Sequence, residues 1–439
     1  MTACEPGRKQ GKRRVIIAVL VVLVLVLAAA ALLWVCSPLY IDPYRGTVQS
    51  DEPSLALEDV LTGEQAREDL DYLMTCLRER HPAWLDGSGK DAVAEEAYQQ
   101  ARSSIGDEIS VLEFYRLAAG VAASLRDAHT TVSWRPDPDA PYYYIDTGVT
   151  ISQLGLPLTI NGVPSEEVLA AYKSISSFEL DEYIEHNFWT YGINYEPVLR
   201  TCGVDTSDGV DMTFQTETGV QTIHFAFAPL ESSGGYPKPD YIMDARNNTA
   251  VFTLTSCVYD EEYCSTVAAF FRRVDSFGIE NVIVDLRGNT GGNSLVANEF
   301  LRYLDVDQYR AWDCAVRYGW YLKWYRDQVY ANDRAEPTFD GSLYVLTDLN
   351  TFSSGMDFAM LVADNDLGTL VGEPCGNLPD SYGDLLRFLL PNSKLRFNVS
   401  YKKWCRIDQE KAGEPITPDV LCPSEDALNR AYELIQGEA

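Results

Sequence analysis

The sequence has little positive charge. Lysine and arginine total 35 residues against 65 aspartates and glutamates, which leaves a formal net charge of -30 in a chain of 439 residues. Proteins that bind nucleic acid rely on basic side chains that release counterions from the phosphate backbone. We therefore expect no nucleic acid partner. The hydrophobic share of 46% and the aromatic share of 11% nevertheless suffice for a globular protein, and the length predicts two or three domains.

Patterns typical of metal sites are also missing. The chain has only four histidines, and none of its ten cysteines stands in C-x-x-C spacing. Cys257 and Cys264 are seven residues apart, which is not the spacing of a zinc clip. We expect no metal and no organic cofactor. Apart from Cys4 and Cys36, the cysteines fall in the portion that we place outside the cell, where we expect disulfides whose pairing the sequence leaves open.

One long apolar run stands near the N-terminus. The basic stretch GRKQGKRR precedes 21 apolar residues from Val15 to Val35. A helix of that length spans roughly 31 Å, the thickness of a hydrocarbon core. This length favours a retained anchor over a cleaved signal peptide, although the alanines at 28–31 are compatible with cleavage. Because basic flanks stay in the cytoplasm, we expect a single-pass cell-membrane protein with a cytoplasmic N-terminus and an extracytoplasmic portion from about residue 37. Bulky neighbours argue against lipid attachment at Cys36.

The chain divides into segments that differ in composition and in their helix or strand patterns. They are a basic tail and transmembrane anchor at 1–36, a linker at 37–56, a helical domain at 57–141, a β-rich module at 142–240 and an alternating strand-and-helix core at 241–439. Alternation of strands and helices predicts parallel strands joined by helical crossovers, and so an α/β fold.

Capping boxes mark two helix starts in the helical domain. Thr62 with Gln65 and Ser110 with Glu113 have the required spacing. In the β-rich module, VDMTFQTETGVQTIHFAF alternates like two strands around a Thr-Gly turn, and one helix is predicted before it.

Two serines, Ser353 and Ser354, stand in TFSSGMDFA between a strand pattern and a helix pattern. A serine at this place is often an N-cap, whose hydroxyl accepts a hydrogen bond from a backbone N–H. The other interpretation is a nucleophile with a base nearby. Gly291 and Gly292 in DLRGNTGGNS present a similar choice, between a tight turn and a backbone cradle for developing negative charge.

His129 is the candidate base. It follows the third predicted helix in LRDAHTTV, in a loop between regular elements, where catalytic groups concentrate. His81, His186 and His224 are predicted to be surface or packing residues.

The order of the motifs resembles that of a known family. DAHTTV, INGVPSEEVL, NVIVDLRGNTGG, TFSSGMDFA, TLVGEP and TPDV follow one another as in the C-terminal-processing (tail-specific) serine proteases, which include the tricorn core and the retinoid-binding interphotoreceptor proteins. The resemblance covers about 57–425. It implies a crotonase-like α/β core, a small helical N-terminal domain and, at 142–240, a shortened PDZ-like module that positions the C-terminal tail of a substrate.

The resemblance also implies a nucleophile and an oxyanion hole. The family's nucleophile corresponds to Ser353, with Ser354 as the fallback. The oxyanion hole would be formed by the backbone N–H of Ser354 and that of Gly291 or Gly292.

The tricorn-like branch of this family implies the general base and the third catalytic residue. The Ser/Lys pair of other members is absent, because Leu378 stands at the lysine's distance after Ser353 and no lysine occurs between Ser353 and Lys394. The Ser-His-Glu branch matches His129, and its glutamate corresponds to Glu414 or, slightly less well, to Glu410.

We therefore predict a membrane-anchored extracytoplasmic serine endopeptidase that cleaves peptides or protein tails through an acyl-enzyme on Ser353. The alternative is a catalytically inactive peptide- or ligand-binding protein on the same fold. An esterase with the same site would differ only in its leaving group. Met356 bears on this choice, because many relatives carry glutamate there.

Overall fold

The computed structural model describes residues 7–35, 41–136, 143–229 and 237–437. Cys4 and Cys36 lie outside the described residues, as does part of the linker. Within these ranges the α-helices are α1 (Gly7–Val35), α2 (Gly63–Arg80), α3 (Lys90–Ser104), α4 (Val111–Ala123), α5 (Gly148–Leu154), α6 (Ser165–Ile175), α7 (Asp181–Thr190), α8 (Glu196–Thr201), α9 (Glu261–Phe277), α10 (Leu295–Leu301), α11 (Ser354–Ala363) and α12 (Ala427–Gln436).

The strands form several sheets. In chain order they are β1 (Val60–Thr62), β2 (Glu108–Ser110), β3 (Val132–Ser133), β4 (Tyr143–Tyr144), β5 (Thr159–Ile160), β6 (Val163–Pro164), β7 (Val210–Thr216), β8 (Gly219–Phe225), β9 (Ala228–Pro229), β10 (Asp240–Asp244), β11 (Thr249–Thr253), β12 (Asn281–Asp285), β13 (Gln308–Arg310), β14 (Asp313–Tyr318), β15 (Tyr321–Tyr325), β16 (Val329–Ala331), β17 (Ser342–Thr347), β18 (Thr369–Gly372), β19 (Tyr382–Leu389), β20 (Arg396–Cys405) and β21 (Val420–Leu421).

A six-stranded sheet forms the centre of the C-terminal region. Its order is β10-β11-β12-β17-β18-β21, and every neighbouring pair is parallel except β10 with β11. The predicted alternation of strands and helices is thus confirmed. Phe252 and Val284 face the core built with α9, α10 and α11, whereas Val251 and Ile283 face α12. Because β12 and β17 are parallel, the loops after them leave from the same edge of the sheet.

The helical region packs on a second sheet that the sequence patterns did not predict. β14, β15, β19 and β20 are antiparallel neighbours, and β3 pairs with β20. Leu70 of α2 and Phe114 of α4 share one buried core with Phe388 and Phe397 of this sheet. Both predicted capping boxes are confirmed, with the hydroxyl of the cap accepting from the N3 backbone at α2 and at α4.

The segment at 143–229 has its own small core. β6, β5, β7 and β8 form an antiparallel sheet, which confirms the predicted hairpin of β7 and β8. Phe188, Val210 and Phe214 are fully buried there. The prediction of one helix in this segment was wrong, since α5 to α8 all lie within it.

Helix α1 is long and apolar enough to cross a membrane from Val15 to Trp34, and the described side chains of this span are exposed. The disulfide prediction was wrong for the described cysteines, which are all free thiols. Cys76, Cys202, Cys257 and Cys375 are buried. Cys76 and Cys202 belong to two separate hydrophobic cores, whereas Cys257 and Cys375 share a third.

Candidate active site

Ser353 stands at the turn between β17 and α11. Its backbone angles, φ 50° and ψ -123°, are strained for a residue with a side chain. The side-chain oxygen of Asn377, which is buried, accepts a 2.8 Å hydrogen bond from the Ser353 backbone N–H and supports this conformation. Ser353 occupies the N-cap position, but its side chain makes no capping bond. The simple capping interpretation therefore does not describe its hydroxyl.

The hydroxyl of Ser353 instead faces His129. The two residues are 224 positions apart in sequence, yet Oγ lies 3.3 Å from Nε2 of the imidazole. The His129 side chain is 22% exposed, and both residues line the same cavity. The fold thus brings a hydroxyl and an imidazole together within reach of solvent.

Ser354 has different surroundings. Its hydroxyl donates to the Gly292 carbonyl oxygen at 3.1 Å and lies 3.0 Å from the hydroxyl of Ser294. Ser294 in turn donates to Asp357 at 2.8 Å. The Ser354 side chain is therefore held in a polar network on the side of the glycine loop.

The glycine loop at 288–292 lies against the serine turn. Gly291 and Gly292 have φ angles of 99° and 143°, which favour glycine. A Cβ at Gly291 would stand 2.7 Å from the Cβ of Ser353, so no larger residue fits there. Close packing of the two turns thus depends on the absence of a side chain at this position.

The backbone donors of this region are not equivalent. The N–H of Gly291 donates to the Asn289 side chain at 2.9 Å. Within the described residues the N–H groups of Gly292 and Ser354 have no acceptor. These two donors, rather than that of Gly291, are free beside the Ser353 hydroxyl.

Asp127 is a functional candidate that the sequence patterns missed. Its buried carboxylate accepts the backbone N–H of His129 at 3.0 Å and lies 3.0 Å from Nε2 of buried His81. Its Oδ1 is 3.9 Å from Nδ1 of His129. Although burial disfavours its charged form, the hydrogen bond with His81 and the nearby imidazoles hold the pKa of Asp127 well below the ordinary range. His81, which was predicted to be a surface or packing residue, is fully buried and packs against Trp84 and Tyr382, and its ring is also the polar partner of Asp127.

Neither glutamate proposed from the resemblance contacts the imidazole. Glu410 and Glu414 are exposed, and in the part of the chain that the structure describes no hydrogen bond joins either side chain to His129. Nδ1 of His129 is buried without a hydrogen-bond partner. The carboxylate of Asp127 lies within 4 Å of that atom.

Glu179 supports the histidine loop from another element. Its carboxylate accepts the backbone N–H of Ala128 at 3.2 Å. Burial and the negative charge of Asp127 raise the pKa of Glu179 to about 7. The segment 177–191 also reaches the serine turn, since Tyr183 packs on Phe352 with 4.7 Å between ring centroids.

The cavity in front of the serine has a volume of about 1060 Å³ and is rich in aromatic side chains. Asp42, Asp357 and Asp384 line it, and Lys402 is ion-paired with Asp384. Burial raises the pKa of Asp357 to about 6; the hydrogen bond from Ser294 opposes this shift and the charge of Asp384 adds to it. Across the described residues, no group of three or more histidine, cysteine, aspartate or glutamate side chains has the geometry of a metal site.

Met356 belongs to the hydrophobic core, although it also borders this cavity. It is 2% exposed and packs with residues of α10 and α11 such as Phe300 and Phe358. At the position where many relatives carry glutamate, this chain thus has an apolar side chain in apolar surroundings.

Comparison with known proteins gives a family match for part of the chain. Residues 248–422 match the sequence profile of peptidase family S41. The solved structure of mature CPAF has a TM-score of 0.57 at 12% identity, with 85% of this chain and 96% of that chain covered. A photosystem II D1 C-terminal processing protease has a TM-score of 0.45 at 13% identity, with 82% and 93% covered. Curated protein sequences give no significant match.

The match to the S41 profile includes the glycine loop, the serine turn and Asn377, and the likeness to CPAF is one of fold. Residues 248–422 thus carry a peptidase family S41 domain, and this domain supports a serine peptidase of the tail-specific group.

Proposed function

We propose that the protein is a membrane-anchored extracytoplasmic serine endopeptidase with Ser353 as nucleophile and His129 as general base. The observation that carries this proposal is the 3.3 Å separation between Ser353 Oγ and His129 Nε2. Catalytic hydrogen bonds in free enzymes are often somewhat long and shorten when substrate binds.

In the proposed reaction Nε2 of His129 takes the proton of Ser353 as Oγ attacks the scissile carbonyl carbon. The N–H groups of Ser354 and Gly292 stabilise the oxyanion, and the start of α11 adds its positive dipole end. The imidazolium then gives its proton to the leaving amine, which departs and leaves the acyl-enzyme. Water, deprotonated by the same imidazole, releases the acid product and restores Ser353.

Asp127 is the proposed orienting carboxylate. For Nε2 to accept a proton, the neutral imidazole must carry its hydrogen on Nδ1. Asp127 already holds the His129 backbone, and a small ring rotation would shorten the 3.9 Å distance to Nδ1. Glu414 and Glu410 are not carried into this proposal, because both side chains are exposed without a bond to the ring.

The segment at 142–240 is proposed to be the PDZ-like module that receives the substrate's tail, with 57–141 as the helical domain and 241–439 as a crotonase-like core. Contacts at the serine turn support a role for the module in catalysis. His186 of α7 lies 3.0 Å from the side-chain oxygen of Asn350, three residues before Ser353. Substrate binding at the module would therefore act close to the nucleophile.

The proposed location follows from α1. Its apolar span is preceded by five basic residues, and a basic flank of this kind supports a cytoplasmic N-terminus with the catalytic portion outside. The cavity's aspartates outnumber its one lysine, so neutral or basic peptide segments are the proposed substrates.

Peptide hydrolysis by the full chain in detergent micelles tests the proposal. We would screen a fluorogenic peptide library with wild type, Ser353→Ala and His129→Ala, and use Ser276→Ala and His224→Ala as controls, since both control positions are exposed and distant in sequence from the site. We expect the site variants to lose about 10³-fold or more in kcat/KM. Cleavage that persists in folded Ser353→Ala would overturn the proposal. If wild type cleaves no peptide, the inactive binding protein becomes the better interpretation.

A further inference from the structure

The rim of the catalytic cavity carries an exposed aromatic hairpin. β14 and β15 are joined at Gly319 and Trp320, and Trp320 at the tip is 50% exposed. Tyr325 and Tyr330, which are 37% and 39% exposed, continue the same rim and line the cavity. Aromatic side chains that concentrate on one lip of a cleft are typical of an interaction surface.

The cavity lies close to the end of the apolar helix. Asp42 and Tyr44 line the cavity, and the Tyr44 hydroxyl is fixed by a 2.6 Å hydrogen bond with that of Tyr401. Helix α1 ends at Val35, seven residues before Asp42. Seven residues span at most about 25 Å, whatever their conformation. One wall of the cavity is therefore within about 25 Å of the end of the proposed anchor.

The hairpin contacts the last turn of that helix. The ring of Trp34 lies 6.1 Å from that of Trp320, edge to face, and 6.3 Å from that of Tyr321. Tryptophan at the end of an apolar span sits at the boundary between headgroups and acyl chains. Trp320 and Tyr321 are then at the same depth as Trp34.

Cationic side chains accompany the aromatic ones. Arg326 lies over the Trp324 ring at 4.0 Å, and Lys323 lies over the Tyr325 ring at 4.8 Å. Aromatic rings with adjacent cations suit the lipid interface, where the rings enter the acyl boundary and the cations meet phosphate groups. Residues 313–327 hold three basic and two acidic side chains, a net charge of +1 in a protein whose net charge is -30.

We propose that the 313–325 hairpin docks on the lipid headgroup region and holds the mouth of the catalytic cavity at the membrane surface. The substrates are then polypeptide segments that lie next to the bilayer, such as the juxtamembrane tails of membrane proteins. This inference rests on the proposed function, because it requires α1 to be a retained anchor. A freely diffusing protein would meet a cavity partly closed off by the membrane.

Tryptophan fluorescence in membranes tests the docking without any catalysis. The full chain is reconstituted in phosphatidylcholine vesicles with or without lipids brominated near the carbonyl end of the acyl chain. The chain has eight tryptophans. We compare wild type with Trp320→Phe and with the control Trp189→Phe, which removes a tryptophan of α7 that packs on Phe188. We expect Trp320→Phe to lose part of the bromine-quenched fluorescence and Trp189→Phe to lose none of it.

A quenched fraction that is the same in Trp320→Phe as in wild type would overturn the docking. If no tryptophan is quenched in wild type, Trp34 is not in the bilayer and the anchor fails as well. As a second readout, one cleavable peptide is offered free in solution and tethered to a lipid. The wild-type preference for the tethered form should fall about tenfold in Trp320→Ser. If wild type cleaves neither the free nor the tethered peptide, the result counts against the peptidase proposal instead.

Discussion

The side-chain oxygen of Asn377 accepts a 2.8 Å hydrogen bond from the backbone N–H of Ser353. This contact joins the loop after β18 to the serine turn, and it holds the proposed nucleophile at a φ angle of 50°. A strained backbone conformation persists only when the surrounding structure holds the residue in it. Asn377 is therefore a positioning residue, although it touches no reacting atom.

Replacing Asn377 should reduce turnover more than substrate binding. Asn377→Leu keeps a similar volume but leaves the Ser353 N–H without its acceptor. We expect kcat to fall about 10²-fold with a small change in KM, and unfolding free energy to drop by about 1–3 kcal/mol. Asn377→Asp retains an acceptor oxygen and is the matched control. Wild-type kcat in a folded Asn377→Leu enzyme would show that the contact is not needed.

Asp127 should matter more for catalysis than either glutamate near the C-terminus. Asp127→Asn removes the carboxylate nearest to Nδ1 of His129, so we expect kcat to fall about 10³-fold. Glu410→Gln and Glu414→Gln should stay within about twofold of wild type, because both side chains are exposed. Steady-state kinetics, with thermal unfolding to verify the fold, compare the three variants. Loss of activity in Glu414→Gln with activity retained in Asp127→Asn would assign the third role to Glu414.

Glu179 should make stability depend on pH. Burial and the charge of Asp127 raise its pKa to about 7 in the folded protein, above the ordinary value of 4.5. Between these values the folded protein holds a proton that the unfolded chain has lost, so rising pH disfavours folding. Glu179→Gln removes this dependence and keeps an acceptor for the Ala128 N–H.

The unfolding free energy of Glu179→Gln should therefore exceed that of wild type by an amount that grows between pH 5 and pH 8, to about 3 kcal/mol at most. Chemical denaturation of both proteins at the two pH values measures it. A difference that does not change with pH would mean that Glu179 is already ionised in the folded protein at pH 5.

Local sequence signals predicted the elements that local chemistry determines. Both capping boxes form because cap and N3 residues are neighbours in sequence. The serine and glycine turns were located because each follows an apolar run that forms a parallel strand, and parallel strands end at one edge of the sheet. The pairing of Ser353 with His129 came from the order of the motifs, since no local pattern joins residues 224 positions apart.

The contacts that were missed depend on distant pairing. β14 pairs with β20 through Cys314 and Trp404, so the antiparallel sheet has no local signature. Asp127 and His81 meet because α4 and the end of α2 pack together, and periodicity alone does not define which polar groups face each other. The disulfide prediction failed for a similar reason, because cysteine counts say nothing about where the sulfur atoms lie.

We propose that Ser353 is a nucleophile activated by His129. The most direct measurement is intact mass and peptide mapping of the full chain, in detergent micelles, after treatment with a fluorophosphonate. Wild type, Ser353→Ala, Ser354→Ala and His129→Ala are compared. We expect one adduct, on Ser353, which persists in Ser354→Ala, disappears in Ser353→Ala and forms far more slowly in His129→Ala. An adduct on Ser354, or no adduct on folded wild-type protein, would contradict it.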